Sequence, residues 1–267
     1  MKLLAIDSSG MTASIAVTED EKLIAEYTVD YKKTHSQTLL PMLDEIKKMI
    51  ELDLSEIDAV AVAAGPGSFT GLRIGSATAK GLAEALNKPI VEVPTIDGMA
   101  YNLFGYEGVI CPIMDARRNQ VYTGFYTFDR DEEEETGFSF RVIKEQFAES
   151  MDEVIAQLNE LGRQVVFLGD GVPVFAQAIA EKLRVPYGFA PANCNRQHAS
   201  CIAVRAKQLY REGKAVKAWD HKPEYLRLSQ AERERLEKQR MEEEKDADRQ
   251  TDKEGHRAGQ PSGSGML

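Results

Sequence analysis

The feature of this sequence that most limits its fold is a strand–aspartate–turn–strand pattern that occurs twice. Apolar residues 3–6 lead into Asp7, and a polar turn and an alternating strand follow. Apolar residues 109–114 lead in the same way into Asp115, again with a polar turn and a strand behind it. An internal repeat of this kind predicts two structural units of related design.

Each repeat continues with helical periodicity and a further buried strand, which predicts an α/β protein with two lobes. We expect an N-terminal lobe at 1–105, a smaller lobe at 106–195, a segment at 196–227 that returns to the first lobe, and a charged, disordered tail at 228–267. The predicted strands are 3–6, 13–17, 22–29, 59–63, 109–114, 121–128, 137–143 and 165–168. The predicted helices are 37–52, with Ser36 as its N-cap, 71–86, 151–161, 174–183 and 198–212.

Composition excludes several classes of protein. The chain has 267 residues and a net charge of -10, which opposes direct binding of a nucleic-acid phosphate backbone. The longest apolar runs fall short of the roughly 20 residues of a membrane span, and no secretory signal pattern is visible, so we expect a cytoplasmic protein without membrane contact. Cys111, Cys194 and Cys201 form no C-x-x-C pair, which argues against a disulfide framework or a zinc site.

A glycine-rich block at 65–75 precedes a predicted helix but does not match a phosphate-binding loop. Leu72 follows the glycines where a Walker loop needs lysine, and Thr70 replaces the last glycine of a dinucleotide-binding motif. Gly71, Gly75, Ala79 and Ala83 instead recur every four residues and would line one face of the helix. Small residues allow close helix packing, either inside the lobe or against another subunit, and the pattern leaves both interpretations open.

Other candidate sites are weak. His35 lacks the second histidine of a metal-binding H-x-x-x-H, because Leu39 occupies that position. Asp7 and Asp115 stand where a two-lobed enzyme holds magnesium and phosphate, yet aspartate is also common at such turns as a cap of local backbone groups. The Arg117–Arg118 pair fits either an anion or a protein partner. No G-x-S-x-G elbow supports a protease.

Four stretches, 4–9, 35–41, 65–75 and 114–122, together with 223–227, resemble the TsaB (YeaZ) family. The resemblance implies a two-lobed ASKHA (actin- and Hsp70-like) fold with a duplicated β-meander. It also implies a non-catalytic dimerisation and activating subunit of the tRNA N6-threonylcarbamoyladenosine (t6A37) synthesis complex. The expected partners are a second copy, a TsaD-type catalytic subunit, a TsaE-type ATPase and, through the complex, tRNA. The resemblance further implies that this chain has no catalytic residue, metal or cofactor of its own. ATP and magnesium are then expected to serve the partner subunits.

The resemblance implies two sets of site residues. The partner and dimer interface is expected at His35, Gln37, Leu40, Gly71, Arg73, Gly75, Thr78 and Ala79. A vestigial nucleotide or anion site is expected at Asp7, Ser8, Asp115, Arg117 and Arg118. On this basis Gly75→Leu should block association with a TsaD-type subunit and leave the lobe folded. The competing hypothesis is an ASKHA ATPase or small-molecule kinase that uses Asp7 and Asp115.

Overall fold

A computed structural model describes residues 1–227, in which the same order of elements occurs twice. The first series is β1 (Lys2–Asp7), β2 (Thr12–Glu19), β3 (Lys22–Asp30), α1 (His35–Met49), β4 (Ala59–Gly65), α2 (Phe69–Leu86), β5 (Ile90–Pro94) and α3 (Thr95–Ala100). The second is β6 (Val109–Asp115), β7 (Gln120–Arg130), β8 (Phe138–Ser150), α4 (Met151–Leu161), β9 (Val165–Leu168), α5 (Val172–Lys182), β10 (Tyr187–Phe189) and α6 (Ala199–Arg211), followed by β11 (Ala215–Val216).

The two sheets share one strand order. Sheet 1 runs β11-β5-β4-β1-β2-β3, and sheet 2 runs β10-β9-β6-β7-β8. In each, the first strand of the series pairs antiparallel with the second and parallel with the fourth. The duplicated meander and the α/β class predicted from the sequence are confirmed. The predicted lobe boundaries stay a prediction, because Met1–Leu226 form one compact unit.

Helices cover both faces of sheet 1. On one face, α1 and α2 pack their apolar side chains, among them Leu39 and Ala83, against Ile15 and Val62. On the other face, α6 places a run of small and branched residues against the alanine-rich strands β1 and β4. The helix α6 therefore follows sheet 2 in sequence but packs on sheet 1, whereas α3 packs in a cluster with strands of sheet 2.

Most predicted elements are present, and the differences have local causes. Helix α4 and strand β9 have the predicted bounds. Helix α1 begins at His35 with Thr34 as its N-cap residue, so the prediction of Ser36 as N-cap is wrong. Strand β8 continues to Ser150 because it pairs with β7 along its length. The short elements β5, α3 and β10 were not predicted, and the predicted tail at 228–267 lies outside the described residues.

The C-terminal segment, residues 217–226, is held against α2. His221 is fully buried, with Nδ1 2.6 Å from Glu92 Oε1 and Nε2 2.8 Å from Ser76 Oγ. The backbone N–H of Glu224 donates to the carbonyl oxygen of Ala64 at 2.7 Å. This segment therefore shields one flank of α2. Among the described residues, none of the helices combines the length and hydropathy that a membrane span requires.

Two glycines of α2 should respond oppositely to substitution. A Cβ on Gly71 would lie 2.1 Å from the backbone oxygen of Ser8, whereas a Cβ on Gly81 would meet no atom within 4 Å. We expect Gly71→Ala to lower the free energy of unfolding by about 1–3 kcal/mol, through overpacking. We expect Gly81→Ala to raise it by up to about 1 kcal/mol, because alanine favours the helix. Urea denaturation of both variants measures the difference, and equal stabilities would contradict this packing.

Candidate functional site

The turn after β1 centres on the buried carboxylate of Asp7. Its Oδ1 accepts hydrogen bonds from the backbone N–H of Ser9 at 2.9 Å and from the hydroxyl of Ser9 at 2.7 Å. Burial raises the pKa of Asp7 to about 6, although these hydrogen bonds and the nearby His35 and His198 act in the opposite direction. Among residues 1–227, no basic side chain forms a direct ion pair with this carboxylate.

The glycine-rich block closes directly onto this turn. The hydroxyl of Ser8 donates to the carbonyl oxygen of Gly71 at 2.9 Å, and the N–H of Ser68 donates to the carbonyl oxygen of Ser9 at 2.6 Å. A Cβ on Gly67 would lie 2.3 Å from Ser9, and one on Gly75 would lie 2.4 Å from the Ser8 hydroxyl oxygen. The backbone of α2 therefore occupies the space beside the β1–β2 turn.

This packing decides between the two interpretations of the small-residue face. Gly71, Gly75 and Ala79 are buried against the chain's own turn and sheet, so they do not line an exposed interface. Their side of α2 is therefore covered within the chain itself, and the expectation that these three residues belong to a partner interface stays a prediction. The expectation that Gly75→Leu leaves a folded lobe stays a prediction, and a side chain at this position would require the Ser8 hydroxyl to move.

Of the other predicted interface residues, three are exposed on α1 and α2 and two are half-buried. Gln37 is exposed and Leu40 is 55% exposed. The guanidinium of Arg73 is exposed and lies 3.9 Å above the ring of Phe69. The half-buried Thr78 uses its hydroxyl to donate to the carbonyl oxygen of Ile74 at 2.9 Å. The half-buried His35 points inward, with Nε2 2.9 Å from the carbonyl oxygen of Gly10.

The outer face of α2 carries a second stripe of small residues that the sequence analysis missed. Ala77, Gly81 and Ala85 are exposed and continue the four-residue spacing that begins at Arg73. Nothing lies within 4 Å of a Cβ built on Gly81. The four-residue spacing could have predicted this stripe from the sequence. Two stripes with the same spacing occur on α2, however, and the spacing does not tell which of them is exposed. This exposed stripe is the part of α2 that another helix can approach.

The turn after β6 forms a second local group. The Asp115 carboxylate accepts from the backbone N–H of Arg117 at 2.8 Å and pairs with Nη1 of the same arginine at 2.9 Å. Arg117, Arg118 and Asn119 all have left-handed backbone angles, with φ of 64°, 57° and 59°. The backbone N–H of Asp115 donates to Asp170, a residue that was not predicted for this site. The charge of Asp115 is therefore paired within its own turn, by Arg117.

Three buried polar atoms around the first turn have no hydrogen-bond partner: Thr12 Oγ1, His35 Nδ1 and Gln197 Nε2. The amide of Gln197 lies against Gly10, where an added Cβ would come within 2.5 Å of Nε2. Sequence analysis missed Thr12 and Gln197, since neither belongs to a motif. Within the described residues, no three His, Cys, Asp or Glu side chains group in a way that could hold a metal ion.

The buried carboxylate should impose a stability penalty that depends on pH. Because the folded pKa of Asp7 is raised, the native state binds more protons than the unfolded state between about pH 4 and pH 6, and stability falls as pH rises through that window. Asp7→Asn keeps an oxygen that can accept from Ser9 and removes the charge. We expect it to raise the free energy of unfolding by about 1–3 kcal/mol at pH 8, with the gain vanishing near pH 4.

Denaturation of the Asp7→Asn variant across this pH range provides the measurement. Asp53→Asn is the control, because the pKa of Asp53 is lowered in the folded protein whereas that of Asp7 is raised. The backbone N–H of Ser55 hydrogen-bonds to the Asp53 carboxylate and lowers its pKa, so this substitution should not stabilise the protein at pH 8. A gain for Asp7→Asn that is the same at pH 4 and pH 8 would contradict the assigned penalty.

Comparison with known proteins gives consistent matches along the chain. Residues 22–235 match the family model described as "TsaD: tRNA N6-adenosine threonylcarbamoyltransferase". The tRNA threonylcarbamoyladenosine biosynthesis protein TsaB of Bacillus subtilis is 34% identical over 240 residues, covering 90% of this chain and 100% of the relative. TsaB of Escherichia coli is 29% identical over 237 residues, covering 85% of this chain and 95% of the relative.

Solved structures agree with these matches. YeaZ from Pseudomonas aeruginosa has a TM-score of 0.69 at 26% identity and covers 84% of this chain and 99% of its own. A second structure from that organism, described as similar to peptidase YEAZ, has a TM-score of 0.70 at 26% identity and covers 85% and 99%. With the duplicated strand order, these similarities confirm the ASKHA-type α/β fold, and the chain belongs to the TsaB (YeaZ) family.

Proposed function

We propose that this chain is a non-catalytic dimerisation and activating subunit of the machinery that synthesises t6A in tRNA. Its relatives in Bacillus subtilis and Escherichia coli are named as tRNA threonylcarbamoyladenosine biosynthesis proteins, which supports this pathway. The observation that carries the non-catalytic role is the closure of the β1–β2 turn by the backbone of α2. In this role the protein works in the cytoplasm, beside tRNA.

The turn between β1 and β2 is covered by α2 and offers few free hydrogen-bond donors for a nucleotide phosphate. A phosphate cradle needs free backbone N–H groups and glycines beside open space. Here the Ser9 N–H is used by Asp7, and the Ser68 N–H is used by Ser9. The neighbouring glycines face the turn itself, so a phosphate would have to displace the start of α2. We therefore assign ATP and magnesium to the partner subunits and propose that this chain works without a cofactor or metal of its own.

The exposed stripe of α2 supports a helical partner. Ala77, Gly81 and Ala85 would let the backbone of another helix approach closely, with Arg73 at one end to give polar contacts. We assign this stripe to the TsaD-type catalytic subunit. The TsaE-type ATPase and tRNA join through the complex, because a net charge of -10 does not favour direct contact with tRNA phosphates.

A substitution at Gly81 tests this partner surface. Gly81→Leu has room in the isolated chain, so the fold should be preserved, but the leucine would separate two closely packed helices. We expect the affinity for a TsaD-type subunit to fall at least about 30-fold, which corresponds to about 2 kcal/mol of lost interface packing. Calorimetry or co-elution with that subunit measures the change.

Two variants control the Gly81 experiment. Gly81→Ala adds one methyl group at the same place and should reduce affinity far less than leucine does. Gly188→Leu adds the same side chain in sheet 2, at another open glycine, and should leave affinity unchanged. If Gly81→Leu binds as tightly as the unmodified chain while remaining folded, the α2 stripe is not the partner surface.

The alternative function is an ASKHA ATPase or small-molecule kinase using Asp7 and Asp115. The observation in its favour is the group of unpartnered polar atoms on Thr12, His35 and Gln197 near a buried carboxylate. A bound polar ligand would satisfy these atoms, although ordered water would do so equally well. The self-contained Asp115–Arg117 pair argues against a second phosphate-binding turn.

Titration of the isolated chain with Mg-ATP separates the two functions. The closed turn predicts no heat of binding at micromolar protein concentration and no ATP turnover. Mixing with a TsaD-type and a TsaE-type subunit should restore t6A formation on tRNA. If the isolated chain hydrolysed ATP and Asp7→Asn abolished the activity, the enzyme hypothesis would replace the subunit role.

A further inference from the structure

The C-terminal segment is fastened to sheet 1 by a buried polar group. The His221 ring lies between Glu92 of β5 and Ser76 of α2, and each ring nitrogen has one of them as its partner. The backbone N–H of Lys222 donates to the same Glu92 oxygen at 3.0 Å. Because His221 is fully buried, releasing the ring from these partners would leave polar atoms unpaired away from water. The segment is therefore held in one position against α2.

The contacts of Glu224 carry the segment to the start of α2. Its backbone N–H donates to the carbonyl oxygen of Ala64, and a Cβ on Gly65 would lie 2.2 Å from its backbone oxygen. Its carboxylate accepts from Nε2 of Gln146, on β8, at 2.7 Å. The next residue, Tyr225, is therefore placed beside the first turn of the helix.

Tyr225 completes a row of three side chains in contact at the start of α2. Its ring centroid lies 4.8 Å from that of Phe69, with 38° between the ring planes. The guanidinium carbon of Arg73 lies 3.9 Å from the centroid of the same Phe69 ring. Phe69 and Arg73 are four residues apart and so lie one helical turn from each other. Phe69 thus links the C-terminal segment to Arg73.

The guanidinium of Arg73 is available to a partner. The residue is exposed and begins the outer stripe of α2, and the arginine ion pairs within residues 1–227 all involve other arginines. A guanidinium presents N–H groups in a fixed fork that matches a carboxylate. When a ring already restrains such a side chain, binding costs less conformational entropy. The charge and the restraint both fit an acidic side chain of the partner.

We propose that the C-terminal segment is part of the partner surface and positions Arg73 for a carboxylate of the TsaD-type subunit. His221 fastens the segment, Tyr225 supports the Phe69 ring, and Phe69 holds the guanidinium. The proposal rests on the proposed function and deepens it, because it names the chemical group that the partner places at this end of the α2 stripe. His221 and Tyr225 are positioning residues, which act through Arg73.

Substitutions at Tyr225 test the support of Phe69. We expect Tyr225→Ala to lower the affinity for a TsaD-type subunit about 5-fold, because Arg73 must then be ordered on binding. Tyr225→Phe keeps the ring and should stay within about 2-fold of the unmodified chain. Arg73→Ala removes the cation and should lower the affinity about 10-fold. Calorimetry measures the three affinities, and urea denaturation shows that each variant is folded.

The double variant Arg73→Ala/Tyr225→Ala separates positioning from a merely structural role. If Tyr225 acts through Arg73, the double variant should bind within about 2-fold of Arg73→Ala alone. A carboxylate partner also predicts that salt weakens binding more steeply for the unmodified chain than for Arg73→Ala. A structural defect caused by Tyr225→Ala would add its full effect to that of Arg73→Ala.

Two further variants complete the design. Tyr187→Ala removes a tyrosine that is 37% exposed on sheet 2, compared with 40% for Tyr225, and should leave the affinity unchanged. His221→Ala unfastens the segment. It should speed hydrogen exchange at the Glu224 N–H and lower the affinity to about the level of Tyr225→Ala.

Three results would overturn the inference: Tyr225→Ala binding as tightly as the unmodified chain, Tyr225→Phe losing as much affinity as Tyr225→Ala, or full additivity in the double variant. Loss of binding in Gly81→Leu, with normal binding in Arg73→Ala and Tyr225→Ala, would keep the α2 stripe as the partner surface and remove only this inference. Normal binding in Gly81→Leu with loss in Tyr225→Ala would remove the stripe and keep Arg73. An unmodified chain that does not bind the TsaD-type subunit would overturn both.

Discussion

The close approach of α2 to the turn after β1 is the constraint on which the rest of the molecule depends. Glycines 67, 71 and 75 bring the helix backbone to within hydrogen-bonding distance of Ser8 and Ser9, where no larger side chain fits. The approach sets the depth at which α2 lies on sheet 1 and so determines which of its sides remains outside.

The buried carboxylate of Asp7 has a cost that the fold does not offset with a cation. Its pKa is raised to about 6, so at neutral pH the protein keeps a desolvated negative charge held mainly by Ser9. The start of α2 packs directly over this turn.

The surface proposed for a partner lies on the outer side of α2. The outer stripe of α2 is made of small residues, which suits a closely packed helix. Sheet 2 has no assigned surface in this scheme, and its helices α4 and α5 pack against a large apolar cluster of their own.

Local patterns in the sequence were sufficient to predict the repeat, the α/β class and most of the long elements. Strand alternation and helical periodicity reflect directly which side chains are buried. The resemblance of short motifs was sufficient for the family. The same spacing, however, occurs twice in α2, at 71, 75, 79 and 83 and at 73, 77, 81 and 85. Only the packed structure shows that the first stripe faces Ser8 and the core and that the second faces outward. The choice depends on contacts between residues some 60 positions apart, such as Ser8 with Gly71, which local periodicity does not encode.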